Sequence, residues 1–384
     1  MKRFLGKKSG IVLCGVLLFC LGFLGSAVAE KSVSIPDTMI WSCYDVGSSG
    51  YTQASAIATA FSEKYGTKIR LLPSGTSIGR MVPVVTKKVD IGFLANEVYF
   101  AMEGVYDFAS PEWGPQDLRL VLAHPTTIAM ATPKTANIKT MADLKGKRVA
   151  WIPGAPTLNV KTTAFLAFAG LTWDDVRKVE FSSYAASLRA LINGTVDTAN
   201  VSTTASIMYE LETSPRGIYW PPVPADDKAG WERMQKIAPF LAPYDETVGA
   251  GITKEKPVTL AKYRYPMATV RSDMDAQWVY NFIKAMDEAF SLYKDANAVM
   301  PLWSITESGK PPADAPFHEG AVKYLKEKGV WTDQDDEWNK KTIERSKKVR
   351  SAWEKVTKEA ETKKIKPDDF PEFWMKEREK YLEG

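Results

Sequence analysis

From Met39 onward the chain repeats one pattern: a short apolar run, a loop of small polar residues, then a segment with helical periodicity. The first run, "MIWSCY", opens through "DVGSSGY" into a segment where Ala54, Ile57, Ala58, Phe61 and Tyr65 lie on one face, which predicts a helix with a single buried stripe. The second run, "KIRLL", passes through "PSGTS" (Pro73 to Ser77) to a helix whose apolar positions are Ile78, Met81, Val82 and Val85. The third, "VDIGFL", leads through Ala95-Asn96-Glu97 to another helix, and "LRLVLA" and "TIAMATP" follow as strands. Apolar runs alternating with helices imply parallel strands joined by crossover helices, an α/β fold.

The pattern restarts at "TMADLKGKRVAWIPG", so a second α/β domain is expected from about Thr140. In it "RVAWI" leads through "PGAPT" to a helix with Leu158, Thr162, Phe165 and Ala169 on one face, and "VDTANV" leads through Ser202-Thr203-Thr204 to the next. The segment "TVGAGITKEKPVTLAKYRYPMATVRS" reads as extended chain returning to the first domain, completed by a helix from Met274 to Tyr293. The expected organisation is residues 30–139 for the first part of lobe I, 140–245 for lobe II, 246–330 for the crossover and return, and 331–384 for a charged helical extension. In that extension the apolar positions Trp338, Ile343, Val349, Trp353 and Val356 are sparse, as in a solvated helix clamped by its tryptophans.

Residues 1–29 combine a basic start, "MKRFLGKKSG", an apolar stretch and a small-residue ending at Ala27-Val28-Ala29, and read as a secretory signal cleaved after Ala29. An uncleaved anchor or a lipid-modified Cys20 is the alternative, the latter disfavoured by the bulky Phe19. Removing the signal takes away four basic residues and no acids, leaving 46 basic against 46 acidic residues. A neutral chain gives no reason to expect nucleic acid or an anionic membrane as partner. Cys14 and Cys20 leave with the signal, so Cys43 is the lone mature thiol and reads as a small buried hydrophobe, with no internal disulfide possible.

Catalytic signatures are missing: there is no GxSxG, Walker loop, GxGxxG or CxxC. The two histidines, His124 and His318, are too few for a recognisable histidine-rich metal motif, so neither catalysis nor a metal or other cofactor is expected. The loops carry the remaining signal. "GSSGY", "SGTS", "PGAPT" and "VSTT" all stand where a strand enters a helix, two in each expected domain. Helix N-termini offer amides without intrahelical partners, glycine admits close approach, and Ser or Thr adds a hydroxyl. A Ser or Thr in such a place is usually only a cap; four loops facing across a cleft would instead enclose a small solute on closure about the crossover strands.

At these residues the chain resembles the extracytoplasmic solute receptors of TRAP transporters, in the TAXI branch, over roughly residues 36–330. The resemblance rests on the Gly/Ser loop with Tyr51, on Ser74-Gly75-Thr76-Ser77 where the family tends to carry Thr-Gly-Gly-Ser, on "DLKGKRV" and on "PFHEGAVKYLKEKG" near the C-terminus. It implies a two-lobed periplasmic binding protein of the type II-like, flytrap kind with extended crossover strands at the hinge, a monomer that captures a small organic solute such as a carboxylate or amino acid and delivers it to an ion-driven membrane permease. The matching positions are Ser48, Ser49, Gly50, Tyr51, Gly75, Thr76, Ser77, Asn96 and Thr157; the two loops of the other lobe add Gly154, Ser202 and Thr203. "ANE", "GAPT" and "STT" depart from the family's Gln-Asp, Gly-Ser-Gly-Thr and Gly-x-Pro, which leaves the solute open. Arg80, in the first turn after "SGTS" and off the apolar stripe, could reach a carboxylate with bidentate geometry but reads first as a solvated side chain, Glu97 as a group that would ask an amine or hydroxyl of the solute if it faced the cleft, and His318 as structural. Competing readings are a receptor for an ABC importer, a secreted hydrolase with an unrecognised acid/base pair, and a sensor that serves no permease.

Overall fold

The computed structural model describes residues 33–382, and the signal and its cleavage after Ala29 lie outside these described residues. Ten strands are present among them: β1 Thr38–Tyr44, β2 Lys68–Ser74, β3 Ile91–Leu94, β4 Leu118–Pro133, β5 Arg148–Trp151, β6 Arg177–Glu180, β7 Ala199–Val201, β8 Ile218–Tyr219, β9 Ala242–Glu246 and β10 Val258–Arg271. β2, β1 and β3 are parallel neighbours, as the repeat of run, loop and helix requires. β10 then enters antiparallel between β3 and β4, and β4 continues to pair with β7 and β8.

The long strands β4 and β10 belong to both lobes. Their Leu118–Ala123 and Met267–Arg271 ends pair in lobe I, while Ala129–Ala131 pairs with β7 and Val258–Lys262 with β9 in lobe II. Between them the ladder breaks register at Arg264/Met267. The sequence reading made "LRLVLA" and "TIAMATP" separate strands; they are one, and Pro125 sits opposite Arg264 at the edge of the register shift, the kind of irregular place where a strand tolerates proline. The expected extended return from Thr247 likewise begins as tight turns and becomes a strand only at Val258, in a hairpin with β9.

Eight helices matter for the site: α1 Ser49–Tyr65, α2 Ser77–Val85, α3 Glu97–Glu103, α4 Pro156–Phe168, α5 Tyr184–Asn193, α6 Ser206–Thr213, α7 Lys228–Ile237 and α8 Ala276–Glu288. The return helix stops at Glu288, with only the short turn Phe290–Tyr293 beyond. α1 buries Ala54, Ile57 and Phe61 as predicted, and Phe61 packs on Trp41 together with Phe93 of β3 and Phe282 of α8. Burying an aromatic of this size contributes roughly 1.5–3 kcal/mol. α2 contradicts its expected stripe: the buried positions are Ser77, Arg80, Met81, Pro83 and Val84, and Val82 is exposed. Both sets have helical spacing, and the register is chosen by the ion pair that Arg80 makes inside.

The C-terminal extension is a 31-residue helix, Asp333–Lys363, entered through a capping box of Thr332 and Asp335. It is not solvated all round: Val349, Ala352, Val356 and Ala360 are buried, and Trp353 packs edge-on against Phe370 and Trp374. Trp374 donates to the Gly104 carbonyl at 2.6 Å, and Arg345 and Arg378 both pair with Glu103 at the end of α3. The extension is thereby tied to lobe I. No helix among the described residues is long and apolar enough to cross a membrane.

Candidate functional site

The four loops singled out in the sequence meet along one seam between the lobes. Ser49 Oγ lies 2.8 Å from Thr204 Oγ1, Ser77 Oγ 2.9 Å from Thr157 Oγ1, and Tyr44 OH 3.3 Å from the same Thr157 oxygen. Backbone groups close the rest: Ile78 N donates to Gly154 O, Tyr184 N to Gly75 O, and Ser206 Oγ to Gly47 O. Asp45 reaches over to accept from Ala185 N at 3.2 Å.

Several loop groups are already spent on local structure. Ser48 caps α1 by accepting from Tyr51 N, and Thr76 caps α2 by accepting from Gly79 N. Gly50 N donates to Tyr265 OH, so one of the expected free amides is taken by the crossover strand. Thr203 turns its hydroxyl to Val248 O, and its neighbour Thr204 reaches the seam instead. Ser202 is buried and hydrogen-bonded to Tyr263 through its side chain and to Tyr184 through its backbone; Tyr51 is half-buried. Cys43 is buried, with its thiol pushed up to about 12 chiefly by desolvation, as suits a small hydrophobe. His318 caps the helix Glu319–Glu327, in keeping with its structural reading.

Beside the seam lies a group of charges that the sequence reading did not assemble. Arg80 is fully buried, which corrects the expectation of a solvated side chain. Its Nε donates to Glu97 Oε1 at 2.9 Å, its Nη1 to Ser74 O at 3.1 Å, and its guanidinium carbon stands 3.3 Å from the centre of the Tyr44 ring. Burial opposes the charge of Arg80, and Glu97, Tyr44 and Tyr265 together outweigh it and hold the guanidinium above its ordinary value. The second oxygen of Glu97 is buried without a hydrogen-bond partner.

Lys161 of α4 is equally buried, 4.2 Å from the centre of the Tyr263 ring, and donates to Asn96 Oδ1 at 2.8 Å. The Asn96 oxygen accepts from Lys161, and the other end of the amide donates to Asp314 Oδ2 at 2.5 Å. Asn96 therefore bridges a cation and an acid rather than capping α3 with its side chain. Desolvation lowers Lys161 to about 7 against the pull of Glu97 and Asp314, and raises Asp314 to about 6. Tyr44, Tyr184, Tyr263 and Tyr265 wall this region, with Tyr44 edge-on to Tyr184 and Tyr265, and Tyr263 stacked on Tyr265. A hollow of about 550 Å³ adjoins it on the crossover side, lined by Tyr99, Phe240, Tyr263 and Asp314 among others.

A signal for Lys161 was present: it is the lone charge in "TLNVKTTAFLAF", whose helix is buried on nearly every side. Since its folded pKa lies below the ordinary lysine value of 10.5, the unfolded chain binds more protons between about pH 7 and that value, and the stability at this site rises with pH across the window. The unfolding free energy of wild type minus that of Lys161→Met is therefore expected to increase from about pH 7 toward pH 10, as followed by urea denaturation. A difference independent of pH would place the ammonium in water.

A family model described as NMT1-like matches residues 45–329. Among solved structures, the chain is similar to a protein from Bordetella bronchiseptica RB50, 17% identical, covering 78% of this chain and 90% of that one with a TM-score of 0.45. It is also similar to the alkanesulfonate-binding protein of Xanthomonas axonopodis pv. citri bound to MOPS, at 14% identity, 79% and 96% coverage and TM-score 0.43. A third is an ABC transporter periplasmic binding protein from Brucella ovis with glutathione bound, at 13% identity, 65% and 67% coverage and TM-score 0.42. Likenesses this distant bear on neither ligand nor partner.

Proposed function

The chain belongs to the NMT1-like family, and we propose that it is a periplasmic receptor that encloses one small organic solute, a carboxylate or amino acid, between its lobes. We assign it to the TAXI branch, delivering the solute to an ion-driven TRAP permease; the Gly/Ser loop, "SGTS" and the "PFHEGA" segment support that branch. The single observation that carries the receptor reading is the pair of hydroxyl contacts across the seam, Ser49 to Thr204 and Ser77 to Thr157. These are paired hydroxyls that an incoming solute separates and takes over as its own hydrogen-bond partners. Arg80 and Lys161 supply positive charge for a carboxylate, and the unpartnered Glu97 oxygen asks for a donor on the solute.

The test is calorimetry of the mature protein with glutamate, aspartate, succinate and pyruvate, after native mass spectrometry of the periplasmic form. One-to-one binding is expected, and replacing Ser77 by Ala and Thr157 by Val should each weaken it by about tenfold, the worth of one hydrogen bond. A protein that purifies empty and shows no heat or thermal shift with any of the four overturns the reading. Co-purification with TRAP membrane subunits supports the delivery route; co-purification with an ATP-driven permease assigns the receptor to an ABC importer.

A further inference from the structure

Gln53 is fully buried one turn into α1, at a position where the apolar stripe of that helix has no use for an amide. Its Oε1 accepts from the indole Nε1 of Trp303 at 2.7 Å, and its Nε2 donates to Ser49 Oγ at 2.8 Å. An indole N–H can only donate, so the amide has one permitted orientation, with its oxygen toward Trp303 and its NH2 toward Ser49. Ser49 Oγ is thereby an acceptor from inside its own lobe, and its hydrogen is left to point outward, to Thr204 Oγ1 across the seam. The second contact has the same sense. Arg80 is also donor only, its Nη2 lies 3.4 Å from Ser77 Oγ, and the Ser77 hydrogen is left for Thr157.

We propose that Gln53, held by Trp303, is a positioning residue that turns the Ser49 hydrogen toward the solute, so that this subsite favours an acceptor such as a carboxylate or carbonyl oxygen. The proposal rests on the receptor reading above and adds a direction to one of its contacts. On opening, Ser49 exchanges Thr204 for the incoming oxygen without having to rotate, because the bond from Gln53 is internal to lobe I and survives the motion. A hydroxyl with no such inner donor is free to turn and serve either kind of solute atom.

The decisive variant is Gln53→Glu. Its carboxylate still accepts from Trp303 but also accepts at the second oxygen, so Ser49 must donate inward and loses its outward hydrogen. Protonating that carboxyl restores a donor and with it the wild-type direction. The probe is whichever of glutamate, aspartate, succinate and pyruvate wild type binds most tightly, titrated calorimetrically from about pH 5 to pH 9. Relative to wild type, Q53E is expected to bind nearly as well at the acid end and ~10–100-fold more weakly at the alkaline end, the loss of one charge-assisted bond. His124, 5.1 Å from Trp303, is lowered to about 4 by burial, and Tyr265, bonded to Gly50 nearby, is raised by burial, so both stay out of this range; Lys161 at about 7 and Asp314 at about 6 titrate within it in wild type and Q53E alike, so the quantity read is the ratio of the two affinities at each pH.

A merely structural Gln53 predicts a uniform loss with no change in pH profile, and parallel profiles for wild type and Q53E overturn the inference while leaving the receptor reading intact. If Q53E does not fold, Trp303→Phe serves: it removes the group that orients the amide and should cost several-fold in affinity for the same probe. An unchanged affinity in W303F overturns the inference. Absence of any binding by wild type overturns the receptor reading and this inference together.

Discussion

Replacing Arg80 by Met is expected to cost about 3–5 kcal/mol of unfolding free energy, because it strands Glu97 as a buried, unpaired carboxylate. Glu97 has no exposed surface, one of its oxygens already lacks a partner, and the other would lose the Arg80 Nε at 2.9 Å. Glu97→Gln leaves the converse problem, a guanidinium in the interior that has lost its counter-charge and keeps only neutral partners, the amide oxygen introduced at position 97 together with Ser74 O, Ser77 Oγ and the Tyr44 ring. The double variant R80M/E97Q removes both charges and should recover a large part of the loss, since a buried pair replaced as a unit is often close to neutral. Urea denaturation of the four proteins near neutral pH gives the coupling directly. A single R80M variant within about 1 kcal/mol of wild type would match an exposed ion pair, and would mean that Arg80 stands in solvent.

The reason Arg80 was misjudged shows what a single sequence can and cannot convey. In α2 the apolar set Ile78, Met81, Val82, Val85 and the observed set Ser77, Arg80, Met81, Pro83, Val84 share Met81 and differ by a rotation of the helix. Periodicity alone ranks the first higher, because it counts a charge as outward-facing. The position of Glu97, seventeen residues on and in another βα unit, reverses the ranking, and that proximity is tertiary information. The α1 stripe, by contrast, contains no charge to be misplaced, and Ala54, Ile57 and Phe61 are buried as read. The α/β alternation was legible for the same reason: each apolar run and each small-residue loop is local. The long strands β4 and β10 were legible only as fragments, since what makes them continuous is pairing between residues 118–128 and 261–271.

The site follows the same division. Loops identified by composition do converge on one seam, yet their hydroxyls split between caps, internal bonds and cross-seam contacts, a partition that depends on partners far away in sequence. The four tyrosines come from β1, α5 and β10 and have no shared motif. Only "YRYP" hinted at them, by setting Tyr263 and Tyr265 on the same face of one strand. Lys161 and Gln53 are the instructive omissions, polar residues on buried helix surfaces, where burial without a partner would be costly and a partner is therefore implied.

Gly75 tests whether the closed seam is the form that holds the solute. A Cβ built on it would stand 2.5 Å from the Cβ and 3.1 Å from the Cα of Ser183, and 3.0 Å from an Asp45 oxygen. Ser183 cannot give way cheaply, because it caps α5 by accepting from Ala186 N while the adjacent Tyr184 N donates to Gly75 O. The added methyl lies between the lobes rather than within either core, so Gly75→Ala is expected to hold the lobes apart at little cost to the fold of each. An overpacking penalty of roughly 1–3 kcal/mol on the closed form weakens solute binding by about 5–150-fold. The ligand-saturated variant should also keep a larger radius of gyration than wild type in solution scattering. Gly66→Ala is the control: Gly66 ends α1 at a φ of 72° with nothing within 4 Å of an added Cβ, so it loses about 1 kcal/mol of stability through backbone strain and leaves affinity alone. Should G75A bind its solute as wild type does, the bound state has a seam wider than this one, and the Ser49 and Ser77 contacts with lobe II belong to a resting form.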